Sequence, residues 1–356
     1  MNIAGLPASI KNFKGDLLLK DNTRRSKSNW RAGIKPQREA EALAAWHAKK
    51  QRLRQTAVAT FLVTRDRKAV SCVTVSLQSS RKIGWWLYLP PVICIGLLLA
   101  IYVSGRNVEV FLWLNQQGRF ASDNFWIAIT TLGDGLVLLV LILPFIRRRP
   151  DIAWSLIVSW LLVALLIKGI KIPLVTYRPI SIIDPNRFRL VGAAYRYNSF
   201  PSGHAASEAG FFATICIFYR QRWVRSAAIA LTVLIAYSRI AMGLHWPTDV
   251  LVGLSGGWIS ALIAYWISRR LTFGTSRIAQ IIFAVIIGGA AIRMLLINHT
   301  DYPQAFRLLQ IIALGSMIFV VCDYALARRK SKMARDDKNA SVNSLPEVSA
   351  DPVPNK

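Results

Sequence analysis

A chain of 356 residues could hold two soluble domains, but 53% of it is hydrophobic and the mean hydropathy is +0.36, which points to a membrane protein. The formal charge of +27 would suit nucleic acid if it formed one patch. Instead the clusters Arg147–Arg149, Arg220–Arg225, Arg269–Arg270 and Arg328–Arg335 each follow an apolar run, as in cytoplasmic loops, so nucleic-acid binding is set aside.

Residues 1–83 hold 18 Lys and Arg against 5 Asp and Glu, the composition of a cytoplasmic, partly disordered segment. Within it, Glu39–Arg54 carries Leu43, Trp46 and Leu53 and reads as a solvated basic tail, with an amphipathic helix on anionic lipid as the rival. The weak alternation over Val70–Leu77 predicts no element, since one isolated hairpin is marginal.

Eight apolar runs follow, near 84–103, 124–146, 151–170, 203–219, 225–243, 247–268, 278–297 and 307–327. Each approaches the roughly 20 helical residues that cross a hydrocarbon layer. The first starts too far into the chain for a cleaved signal and is read as a retained anchor. With the N-terminus inside, all four basic clusters fall on the cytoplasmic side, and the loops 104–123, 171–202, 244–246 and 298–306 lie outside. Trp85, Trp86 and Tyr88 fit an interfacial aromatic belt. Pro90, Pro91 and Pro144 are tolerable where neighbouring helices satisfy the freed backbone groups. The polar tail 331–356 is expected to be disordered. Cys72, Cys94, Cys216 and Cys322 show neither disulfide nor zinc spacing.

Three short segments on the predicted outer side collect most of the polar residues that a membrane bundle ought to avoid. They are Lys171 to Arg178-Pro179, then Pro201-Ser202-Gly203-His204, then Ser238-Arg239 followed by His245 and Asp249. Lys171, Arg178 and Arg239 are three cations that make sense around a phosphoryl group, and Arg can fork onto two oxygens. Ser202 and Gly203 stand where a helix begins, so free N–H groups and the helix dipole add to anion binding; the Ser202 hydroxyl is either a cap or a further donor. His245 and Asp249 are four apart, so the carboxylate can reach one ring nitrogen and leave the other free to attack phosphorus. His204, from another helix, is then available as general acid.

These segments resemble the three-part signature of the type 2 phosphatidic acid phosphatase (PAP2) superfamily, which also includes vanadium-dependent haloperoxidases and glucose-6-phosphatase. That signature is Lys, six residues, Arg-Pro; Pro-Ser-Gly-His; and Ser-Arg, five residues, His, three residues, Asp, all present here in order. The resemblance implies His245 as a nucleophile forming a phosphohistidine, Asp249 as its orienter and His204 as acid, with Lys171, Arg178, Ser202, Gly203 and Arg239 binding phosphate. It implies metal-independent hydrolysis, with no cofactor. It spans roughly residues 84–268, a six-span core, leaving two extra spans at 269–327 and a tail at 328–356.

The expected protein is therefore all-α and integral to the membrane, with a six-helix PAP2-like bundle extended by two C-terminal spans. Its expected reaction is hydrolysis of a lipid phosphomonoester or pyrophosphate at the periplasmic face of a bacterial inner membrane, with membrane lipids as its surroundings. A lipid-to-lipid phosphotransferase would use the same motifs. A transporter or scaffold would explain the spans but not the complete phosphate-binding set, and haloperoxidase relatives are soluble. A metal site at His204, His245 and Asp249 is disfavoured because the three cations would repel a divalent ion. Two further acids, Glu208 and Asp134, are secondary candidates: Glu208 shares a helical face with His204 and pairs with it, pairs with a motif cation, or makes a structural hydrogen bond. His47 and His299 read as solvated, and Lys168 and Arg293 as snorkelling cations.

Overall fold

The structure, a computed structural model, describes residues 83–343. The expectations for Glu39–Arg54, Val70–Leu77, His47 and Cys72 lie outside those residues, as do the last residues of the tail.

The described residues are helical and contain no strand. A short turn at Trp85–Tyr88 leads into α1, Leu89–Ser104, whose largely exposed apolar surface suits lipid contact. The next segment, expected as a loop, contains a helix, α2, Asn107–Gln117. It forms because Phe111 and Asn115 fall on one buried face. There the Asn115 amide donates to the carbonyls of Arg189 (2.9 Å), Ile240 (3.0 Å) and Ala241 (3.1 Å), and its oxygen accepts from the Arg189 N–H (2.8 Å).

The second expected span is broken into α3, Asp123–Leu132, α4, Gly135–Val140, and α5, Leu143–Arg148, with a 49° bend at Gly133-Asp134. Gly133 has no room for a side chain, since a Cβ would stand 2.5 Å from Ile235. Asp134 restarts the helix by accepting the N–H groups of Leu136 (2.8 Å) and Val137 (3.2 Å). Irregular backbone inside a membrane protein is tolerable where it lines a cavity, which this bend does.

Then come α6, Pro150–Lys171, a single turn α7, Pro179–Ile182, and α8, Gly203–Phe218. These are followed by α9, Arg222–Ala241, α10, Pro247–Arg270, α11, Arg277–Leu296, and α12, Phe306–Asn343. Six of the described helical segments are long and apolar enough to cross a membrane, or seven with the bent pair. The remaining expected span, α8, has only 16 residues. It is short because its first turn begins inside the bundle, with Ser202 fully buried. At the other end of the chain α12 runs on to Asn343, where composition predicted a disordered tail; Ala, Lys, Arg and Met are good helix formers that extend a helix already nucleated by packing.

The core is organised around α10, which packs on α8, α6 and α1. Its contact with α8 is built from small residues: Gly253 faces Ala205 and Ala206, and Gly257 faces the Ala206 backbone. α11 and α12 pack together against α4 and α5. At the end away from the motifs, Asp323 of α12 accepts from Arg148 Nε (2.7 Å) and from Arg147.

A Cβ at Gly257 would collide with the Ala206 carbonyl, and backbone on both sides leaves nothing flexible to yield. Gly257→Ala is expected to cost about 1–3 kcal/mol, read as a lower melting temperature in detergent; Gly288→Ala, with open space around it, serves as the control.

Candidate active site

Two helix starts carry the centre of the site. Gly253 and Gly257 let α8 and α10 approach until the Ser202 N–H donates to the Asp249 carbonyl at 3.0 Å. This places the Ser202–His204 turn beside the His245–Asp249 turn. Ser202 is the N-cap of α8, and its hydroxyl is only 3.5 Å from the Ala205 nitrogen, a long capping bond. Of the two roles considered for that hydroxyl, a weak cap is what the geometry contains.

The loop between α9 and α10 aims His245. Gly243 sits at φ +76°, a left-handed turn that glycine adopts freely, and a Cβ there would strike the Arg189 carbonyl and the Phe188 ring. His245 is 2% exposed. Its Nδ1 stands 3.5 Å from Asp249 Oδ2, within ion-pair range but longer than a made hydrogen bond. That carboxylate oxygen accepts instead from the Trp246 N–H at 3.0 Å and from the Ser199 hydroxyl. Asp249 therefore holds the turn together as well as facing the imidazole.

Burial, then the cations Arg239, Arg178 and Lys171, hold His245 well below the usual imidazole range, so the ring is neutral near pH 7. Arg178 lies in the loop between α6 and α7, donating to the carbonyls of Tyr197 (3.1 Å) and Leu244 (3.2 Å) and lying over the Tyr195 ring. Its proton affinity is lowered to about 10 by burial and by Arg239, which still leaves it charged at neutral pH. Arg239, almost wholly buried near the end of α9, donates to the Thr130 hydroxyl at 2.6 Å. The loop carrying Arg178 is pinned by Trp246 Nε1 donating to the Tyr177 carbonyl (2.9 Å) and by the Phe200 N–H donating to the Thr176 hydroxyl (2.8 Å).

A cavity of about 320 Å³ opens among these groups. Of the residues singled out from the sequence, Lys171, Arg178, Gly203, His204, Arg239 and His245 line it, and so does Asp134. Ser202 and Asp249 lie buried behind that lining. Glu208 is fully buried and neither of its oxygens has a hydrogen-bond partner among the described residues, so neither its pairing with His204 nor a structural hydrogen bond is made. No group of three or more His, Cys, Asp or Glu side chains among the described residues is arranged to hold a metal ion.

His299 differs from its expected solvated role. It is packed into the cavity wall with Nε2 2.9 Å from Asp134 Oδ1. Residues missed in the sequence are Thr130, Ser199, Tyr195 and the 299–302 loop. Only the last had a usable signal, a polar run on the same predicted side as the motifs.

A model of the PAP2 superfamily matches residues 152–273, which include all three motif segments. The chain is 30% identical over 203 residues to an undecaprenyl-diphosphatase of Sulfolobus acidocaldarius, a match covering 51% of this chain and 90% of that protein. It is 39% identical over 69 residues to a lipid A 1-phosphatase of Rhizobium etli, covering 19% of this chain and 29% of that one. The crystal structure of Aquifex aeolicus LpxE is 27% identical and aligns with 44% of this chain and 93% of its own, at a TM-score of 0.40. The chain belongs to the PAP2 superfamily and is an all-α integral membrane protein.

Because the lowered proton affinity of His245 belongs to the folded state, the unfolded chain takes up its proton first as pH falls through about 6.5. The stability contributed by this neutral ring is present above that pH and declines below it. Nitrogen-15 NMR of labelled histidine is expected to find His245 still neutral at pH 6.5, and Arg178→Gln, which removes one repelling cation, to raise its titration midpoint.

Proposed function

We propose that the chain hydrolyses a lipid phosphate at this cavity through a phosphohistidine on His245. The observation that carries the reading is the convergence of Lys171, Arg178, Arg239, His204 and His245 on one cavity from separate elements. The relatives named as an undecaprenyl-diphosphatase and a lipid A 1-phosphatase support a lipid phosphate as substrate.

The three cations bind the non-bridging oxygens and offset the charge that builds on them in the transition state. The Gly203 turn adds a helix N-terminus to the same oxygens. With Nδ1 turned toward Asp249, the lone pair on His245 Nε2 attacks phosphorus while the bond to the leaving oxygen breaks. Asp249 stabilises the imidazolium character that develops. His204 gives its proton to the leaving lipid oxygen, then takes one from the water that attacks the phosphohistidine; inorganic phosphate leaves and His245 is restored.

The Arg-rich ends of the helices lie opposite the cavity, which supports a cytoplasmic side there and a periplasmic site in a bacterial inner membrane. Residues 84–268 act as the catalytic core, and the basic segment 1–83 as its cytoplasmic extension. In a variant lacking the native cysteines, Asn186→Cys should label in spheroplasts with an impermeant thiol reagent while Arg222→Cys should not; both positions are exposed. The reverse pattern places the site on the cytoplasmic side.

The chemistry separates the two histidines. His245→Ala should form no acid-labile phosphoenzyme from a radiolabelled lipid phosphate. His204→Ala should hydrolyse alkyl phosphates on the order of 100-fold more slowly, yet recover with a phenolic leaving group that needs no proton. Equal labelling of wild type and His245→Ala removes the nucleophile assignment. Because Lys171, Arg178 and Arg239 supply the positive charge, activity should persist in excess EDTA.

A further inference from the structure

The two C-terminal membrane helices lie beyond the 152–273 stretch matched to the superfamily, yet the loop joining them forms part of the cavity wall. Tyr302 is the residue of that loop that meets a motif cation. Its hydroxyl is in hydrogen-bonding contact with Arg239, and it lines the cavity together with Lys171, Arg178, His204 and His245. The ring is held in place: it is 9% exposed and belongs to a buried cluster with Trp126, Val191, Met242 and Leu244. It lies over Gly192, where a Cβ would stand 2.4 Å from the ring and 2.9 Å from the hydroxyl oxygen. The backbone is fixed as well, since the Tyr302 carbonyl accepts from Asn298 Nδ2 (3.0 Å) and from the Thr300 hydroxyl (3.3 Å).

The direction of that contact decides what the hydroxyl has left to give. A guanidinium carries only donors, so the Tyr302 oxygen accepts from Arg239 and its own proton remains to be donated. Among the described residues no acceptor takes that proton. The two carboxylates of the lining are directed elsewhere: Asp134 accepts the N–H groups of Leu136 and Val137 and faces His299 Nε2 at 2.9 Å, and Asp301 accepts from the Tyr195 hydroxyl at 2.8 Å. The Tyr195 link also braces the loop against a second motif cation, because Arg178 lies over the Tyr195 ring. An O–H donor fixed beside a guanidinium in a three-cation cavity fits an anionic oxygen that the guanidinium also binds.

We propose that Tyr302 is a further catalytic residue, donating its hydroxyl proton in a hydrogen bond to a non-bridging oxygen of the phosphoryl group held by Arg239. The proposal rests on the reading of the cavity as a lipid phosphate hydrolase. It makes the C-terminal helix pair a contributor to the phosphoryl-binding set, from outside the stretch that carries the three motifs. The hydrogen bond strengthens as charge builds on that oxygen in the five-coordinate transition state, so its loss acts more on kcat than on KM.

The test uses the full-length protein in mixed micelles and the variant Tyr302→Phe, which keeps the packed ring and loses only the hydroxyl. Release of phosphate from phosphatidic acid or undecaprenyl diphosphate, whichever wild type uses faster, should fall about tenfold in kcat/KM, chiefly through kcat. Binding of orthovanadate, which can take up the five-coordinate geometry, should weaken about tenfold when followed by vanadium-51 NMR, with the melting temperature unchanged. In an Arg239→Lys background, Tyr302→Phe should weaken vanadate binding again. Unchanged vanadate binding in Tyr302→Phe overturns the proposal, as does a weakening that comes with a lower melting temperature, which is the mark of a structural strut. A weakening that disappears in the Arg239→Lys background overturns it too, because the hydroxyl then acts only by positioning the arginine. Wild type that releases phosphate from neither lipid and binds no vanadate overturns the reading on which the proposal rests.

Discussion

The close contact of α8 with α10 is the constraint from which the site follows. Two glycines one helical turn apart, Gly253 and Gly257, remove side chains where the backbone of Ser202–Ala206 crosses. In an apolar surround there is little hydrophobic gain from pairing two helices, so close van der Waals packing of small residues has to hold them. The approach brings two helix N-termini together and lets Ser202 N–H reach the Asp249 carbonyl. His204, in the first turn of α8, and His245, in the loop just before α10, inherit their separation from this one crossing.

Such a site must keep like charges together without a permanent counterion. Among the described residues, neither Arg239 nor Arg178 forms a salt bridge to a carboxylate; their donors reach Thr130 and the carbonyls of Tyr197 and Leu244. Neutral acceptors fix guanidinium direction without cancelling charge, so the cavity retains a positive potential for an anionic ligand. Burial, with the same cations behind it, keeps His245 unprotonated.

How much of this could be read in the sequence depended on the distance along the chain between partners. The i,i+4 pair His245 and Asp249, the cap at Ser202, and the motif cations were legible because each is a local pattern with local geometry. The helix of residues 107–117 was not, since its stabilising partner Arg189 is more than seventy residues away. Ser199, which donates to Asp249, and Thr130, which holds Arg239, carry no spacing that marks them; only the fold places them there. His299 was misjudged for the same reason, because its partner Asp134 is 165 residues earlier. The span near 124–146 was found by its hydropathy, but the bend that turns Asp134 into the cavity depends on the Gly133–Ile235 contact.

The two extra C-terminal helices are tied to the rest at both ends. Near the Arg-rich end, Asp323 receives Arg147 and Arg148; at the cavity end, His299 meets Asp134. Both attachments fall on α3–α5, the broken span. The loop joining the pair also reaches the cavity, where His299 and Tyr302 stand in one lining with Arg239, so changes in that loop are expected to couple to the cations.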